Sequence, residues 1–85
     1  MGYVVSFKPS ARKALSKLPA AIQIRLIKAA DGLASDPRPT GVKKLQGDDN
    51  LWRIRVGAYR VVYEIHDDRL AVLVVRVGDR KEIYR

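Results

Sequence analysis

The stretch LWRIRVGAYRVVYE, residues 51–64, alternates in polarity on either side of a Gly57-Ala58 pair. Alternation with a period of two marks a strand with one buried face. Two such runs around a two-residue turn with Gly first read as a β-hairpin closed by a type II′ turn. The turn length fixes the register: Val56 faces Tyr59, Ile54 faces Val61, and Trp52 faces Tyr63. This aligns a continuous apolar face, and a slip of one residue would turn it outward. The same register sets Arg55 directly opposite Arg60, and Arg53 opposite Val62, on the other face.

Like charges facing each other across a sheet are destabilising. At about 5 Å the repulsion is roughly 0.8 kcal/mol in water and about 3 kcal/mol at an effective dielectric of 20. An anion seated between the guanidinium groups reverses the sign of the effect. Single Arg residues on a sheet face are ordinary, and cations also protect sheet edges. A cluster facing one way points instead to an anion site. Arg76 could lie on either side, because the length of the HDDR turn before its strand is not fixed by the sequence.

Working outward, YVVSF (residues 3–7) reads as a short strand. Pro9 and Ser10 open a helix whose apolar stripe is Ala11, Ala14, Leu15 and Leu18. Lys8, Arg12, Lys13 and Lys17 occupy its other sides, as a solvated face or an RNA or protein contact. Pro19 ends it and starts a second helix, with Ile22, Leu26, Ala29, Ala30 and Leu33 on one face, running to about Ser35. SDPRPTG is a loop, and VKKLQGDDN continues it irregularly. After the hairpin, LAVLVVRV (residues 70–77) is apolar almost throughout, as for a central strand covered on both faces. The order is β-α-α-β-β-β. It gives an α+β fold with two N-terminal helices packed on one face of a small, mainly antiparallel, twisted sheet. Residues 1–85 read as a single domain, without internal repeats.

The 85 residues carry 17 Lys and Arg against nine Asp and Glu, a net charge of +8. Such an excess favours polyanions or acidic proteins as partners. Residues 51–85 hold seven Arg and one Lys, whereas residues 1–50 hold three Arg and six Lys. Arg presents a permanently charged planar fork that matches phosphate, so the C-terminal part is the better phosphate binder. There is no cysteine, which fits a reducing, cytoplasmic setting, and no apolar run is long enough for a membrane span. Gly2 with Ser6 matches a myristoylation pattern, but the segment reads better as the first strand.

LWRIRVGAYRVVYEI, the apolar strand and VGDRKEIYR together resemble the RelE toxins of the RelE/ParE toxin–antitoxin superfamily. The resemblance runs over nearly the whole chain, including YVVSF, the paired helices and KKLQG. It implies a metal-independent endoribonuclease without cofactors that cuts messenger RNA in the ribosomal A site. In that reaction the 2′-hydroxyl attacks the adjacent phosphate. By the resemblance, Arg60 stabilises charge on the phosphate, Arg80 stabilises or protonates the leaving oxygen, and Tyr84 stacks on a base or helps activate the hydroxyl. Arg53, Arg55, Lys43, Lys44 and Lys81 would bind RNA phosphates. Family members often carry Lys where this chain has Arg53 and Arg55. Arg cannot give up its proton as Lys can, which shifts proton work toward Tyr84. The implied partners are an acidic antitoxin, in a hetero-oligomer, and the ribosome with its 16S rRNA and mRNA. Two alternatives remain open: a ParE-like inhibitor of DNA gyrase, and an inactive basic nucleic-acid binder.

Other polar residues have simpler expected roles. His66, Asp67 and Asp68 read as a solvated turn, and one His with two adjacent Asp makes a poor metal set. Asp48 and Asp49 read as turn residues, Asp79 and Glu82 as surface charges flanking Arg80, and Trp52 as core.

Overall fold

The two prolines near the N-terminus set the helical boundaries. In the computed structural model, which describes residues 2–45 and 50–79, Pro9 opens α1 (Pro9–Ser16) and Pro19 caps α2 (Ala20–Gly32). Pro suits the first turn because its missing N–H has no intrahelical partner there. Neither helix start has a side-chain cap. Beyond Gly32 the chain tightens into i→i−3 bonds at Leu33, Ala34 and Ser35, so the α-helix ends sooner than the apolar spacing suggests while the winding continues to Ser35.

The remaining elements are β1 (Val4–Phe7), β2 (Lys43–Lys44), β3 (Leu51–Val56), β4 (Tyr59–His66) and β5 (Ala71–Asp79). They form one five-stranded sheet in the order β1-β5-β4-β3-β2. β1 lies parallel to β5, and the other pairings are antiparallel. This is the expected α+β architecture with one addition. Lys43 and Lys44 pair with Arg53 and Trp52, where the sequence predicts an irregular segment; two residues are too few to show a period.

The hairpin register is as the sequence predicts, from Val56↔Tyr59 to Trp52↔Tyr63. Gly57 takes φ +63° and Ala58 does not go positive, the backbone a type II′ turn requires. The HDDR segment closes differently. His66 is the last residue of β4, Asp67–Arg69 form a short 3₁₀ turn, and Leu70 takes a left-handed φ of +50°.

One sheet face carries the core. Ile54, Val61, Tyr63, Ile65, Val72, Val74 and Val77 pack with Ala11 and Leu15 of α1 and with Leu26 and Ala30 of α2. A β-bulge in β5 makes this possible. Val62 pairs with Arg76 but Tyr63 pairs with Val74, leaving Val75 as the extra residue. Val74 and Val77, three apart, therefore both face the helices. The uninterrupted apolar run in β5 reflects this change of parity rather than burial on both faces: Ala71, Leu73 and Val75 on the other side are only half-buried.

Candidate functional site

The face away from the helices is a grid of cross-strand neighbours. One row is Lys43, Arg53, Val62 and Arg76, taken from β2, β3, β4 and β5. The next row, about 7 Å along the strands, is Arg55, Arg60 and Gly78. Five cations thus share one face of four strands. Gly78, the partner of Arg60 on β5, contributes no side chain to the row. The bulge resolves the side of Arg76: it falls on the cationic face because Val75 shifts the alternation before it.

Burial divides the group. Arg55, Arg76 and Lys43 are exposed, whereas Arg53 is 8% and Arg60 4% exposed. The two inner guanidinium groups are therefore set into the sheet face and not displayed on a fully open patch. Arg60 is engaged within the fold. Among the described residues the ion pairs are Arg38–Asp67, His66–Glu64 and Arg69–Asp68. Arg53, Arg55 and Arg76 take part in none of them.

Lys43 and Lys44 part company. Lys44 pairs with Trp52 and points to the helix side, where its Nζ lies 5.6 Å from the Trp52 ring centroid. It does not join the Arg cluster. Trp52 is half-buried at the border of the core, and its buried Nε1 has no hydrogen-bond acceptor among the described residues. The Arg38 guanidinium lies over the same ring at 4.9 Å, a cation–π contact.

Arg38 ties the loop before β2 to the far end of the sheet. Its Nη1 and Nη2 donate to the two oxygens of Asp67 at 3.3 and 2.9 Å, and the Tyr3 hydroxyl donates to Asp67 Oδ1 at 2.6 Å. The Arg38 hydrogen bond, and then that of Tyr3, hold the Asp67 carboxyl below its ordinary value. Tyr63, whose hydroxyl donates to the Pro37 carbonyl at 2.7 Å, is pushed up to about 12 by burial.

His66 is also more constrained than a solvated turn residue. Its Nε2 donates to Glu64 Oε1 at 2.9 Å, and Arg69 Nη2 approaches its Nδ1 at 3.4 Å. Glu64 and His66 are two apart on a strand and so share the cationic face, a signal present in the sequence once β4 is extended to His66. Among the described residues no three His, Cys, Asp or Glu side chains gather as a metal site, and no helix is long and apolar enough to cross a membrane. Arg80, Lys81 and Tyr84, together with Asp48, Asp49 and Glu82, lie outside the described residues.

The β-α-α-β order and this cationic hairpin coincide with a match over residues 5–84 to the family model described as ParE toxin of type II toxin-antitoxin system, parDE. The chain belongs to the RelE/ParE superfamily of type II toxins. Within it the chain is a RelE-type toxin. It is 35% identical over 86 residues to Toxin RelG of Mycobacterium tuberculosis, covering all of this chain and 99% of that one. It is 31% identical over 88 residues to the mRNA interferase toxin RelE of Escherichia coli, covering 99% and 92%. In three dimensions it resembles a chain of the toxin–antitoxin complex RelBE2 from Mycobacterium tuberculosis. The TM-score is 0.84 at 32% identity, over 94% of this chain and 100% of that one.

Proposed function

We propose that this RelE-type toxin is a ribosome-dependent endoribonuclease that cleaves mRNA in the A site. The observation that carries the reading is the shared face of Lys43, Arg53, Arg55, Arg60 and Arg76, with Arg53, Arg55 and Arg76 outside every ion pair among the described residues. Transfer of the phosphoryl group builds negative charge on phosphorus oxygens, and fixed cations held in place before the reaction stabilise it. The 2′-oxygen bonds to phosphorus and the bond to the 5′-oxygen breaks, leaving a 2′,3′-cyclic phosphate and a 5′-hydroxyl. The hydroxyl proton leaves to a base and the departing oxygen gains one. Arg60 stabilises the phosphate in this scheme, Arg80 serves the leaving oxygen, and Tyr84 stacks on a base or assists the 2′-hydroxyl. Arg53, Arg55, Lys43 and Lys81 hold flanking phosphates; Lys44 has no such role because it lies over Trp52.

The named relatives support this reading, one being an mRNA interferase and another a member of a solved toxin–antitoxin complex. The toxin acts in the cytoplasm, where ribosomes are, and an acidic cognate antitoxin neutralises it in a hetero-oligomer.

A translation extract programmed with a defined message tests the proposal. Wild type is expected to produce A-site cuts with 5′-hydroxyl ends, and Arg60→Ala and Arg80→Ala to cut about 100-fold more slowly or less. No cutting by wild type, or undiminished cutting by both variants, overturns it. Inhibition of purified gyrase in a supercoiling assay would favour the ParE-like alternative.

A further inference from the structure

Beside the Arg cluster, where α1 passes the edge of β5, there is a cleft of about 480 Å³. Its polar groups are Lys8, Ser10, Glu64 and Arg76, and Leu51 and Val75 are among its apolar walls. The volume falls within the range of small-molecule sites, and polar groups share the lining with apolar side chains. The β5 bulge shapes it. Val75 is the unpaired residue of the bulge and Arg76 the one whose direction it changes. Bulges commonly re-aim side chains next to functional sites.

Glu64 is an anomaly on this face. It lies one row from Arg53 and Arg76, between Leu51 on β3 and Leu73 on β5. It forms no ion pair with the cluster. Instead, Oε1 accepts the hydrogen bond from His66 Nε2, which itself faces Arg69 through Nδ1. His66 is thus a positioning residue that fixes the carboxylate, and among the described residues Oε2 has no hydrogen-bond partner. A carboxylate with a free acceptor oxygen, next to apolar walls and two cations, suits a nucleotide better than a bare phosphate.

We propose that this cleft binds one nucleotide of the RNA strand lying on the cationic face, and that Glu64 selects its base. The inference rests on the RNA reading given above. Arg76 and Lys8 take the phosphate, Ser10 faces the sugar, and Leu51 and Val75 lie against the base. Glu64 accepts N–H groups from the base's Watson–Crick edge, the edge on which unstacked RNA bases are read. Guanine suits it best, offering parallel N1–H and N2–H donors. Cytosine and adenine offer one amino group each. Uracil fits worst, because its single N3–H lies between two carbonyl oxygens that the carboxylate repels. A carboxylate accepting from base amino groups is an established readout pair.

Short RNAs test this without requiring cleavage. Hexanucleotides with 2′-O-methyl riboses cannot supply the attacking hydroxyl, so anisotropy reports binding alone. An oligo-U background with a single G walked through each position should show one register at which G binds wild type about tenfold more tightly than U. Glu64→Gln, whose amide can donate as well as accept, should reduce that ratio to about twofold or less. It should keep the circular dichroism spectrum, and its affinity for the all-U strand should rise, because the charge that repels uracil's carbonyl oxygens is gone. Arg76→Ala should weaken all sequences alike. The same G preference in wild type and Glu64→Gln, no preference at any register, or binding of acidic peptides without binding of RNA would each overturn the proposal. Cleavage of ribosome-bound message by the same preparation is scored separately. A toxin that cuts without base preference defeats this inference alone, and one that discriminates bases without cutting defeats the nuclease reading alone.

Discussion

Arg55 and Arg60 are direct cross-strand partners, yet Arg55 is exposed while Arg60 is 4% exposed. Folding alone does not favour two guanidinium groups at adjacent positions of one sheet face. Exchanging Arg55 for an acid should therefore separate stability from function. Arg55→Glu is expected to raise the unfolding free energy by about 0.5 kcal/mol and to weaken RNA binding and cleavage. Urea unfolding followed through Trp52 gives the first quantity. A variant no more stable than wild type would mean that the pair is already relieved in the free protein.

Arg76 and Lys44 provide a matched comparison. Both are exposed, but Arg76 joins the cluster and Lys44 sits over Trp52 on the opposite face. Removing one phosphate contact lowers the slope of log affinity against log salt by about 0.7 for single-stranded RNA. Arg76→Ala should show this change and Lys44→Ala should leave the slope as it is. Equal slopes in the two variants would show that overall charge, and not the sheet face, governs binding.

Which parts of this geometry can be read from the sequence depends on how local their causes are. The hairpin register follows from a two-residue turn and strict alternation, so the pairing of Arg55 with Arg60 is legible in the order of the residues alone. The side of Arg76 is not. It depends on a bulge within a run of valines, where no polar residue marks the change of parity. β2 is too short to carry a pattern. The Arg38–Asp67 link joins residues 29 apart, and nothing local announces it. His66 is legible in principle: ending β4 at Ile65 hides it in a turn, whereas one more residue aligns it with Glu64.

The buried hydroxyl of Tyr63 leads to a prediction at alkaline pH. It donates to the Pro37 carbonyl, and burial pushes its pKa up to about 12. The folded state thus prefers the protonated phenol. The associated stability is complete below the unfolded value of about 10 and is lost as pH rises toward the folded value. Wild-type stability should therefore fall between those limits, and Tyr63→Phe should lack that part of the decline. At neutral pH the variant should be less stable by about 1–2 kcal/mol, because the Pro37 carbonyl loses its donor. Parallel alkaline denaturation curves for the two proteins would refute the assignment.

Asp67 gives the opposite sign at the acid end. Hydrogen bonds from Arg38 and Tyr3 favour its ionised form and hold its pKa below the ordinary value. The stability it contributes is present above the unfolded pKa, about 3.9, and disappears as pH falls through the lower folded value. Asp67→Asn keeps the side chain's size but removes the charge that Arg38 contacts with both terminal nitrogens. Its melting temperature should lie below wild type at neutral pH, and the two curves should converge as the solution becomes acidic. Trp52 supplies a local readout, since it is the only tryptophan and the Arg38 guanidinium lies over its ring. Its emission should shift in Asp67→Asn at neutral pH and in wild type only at low pH. A melting-temperature gap that stays constant down to strongly acidic solution would show that the Asp67 charge does not hold the loop.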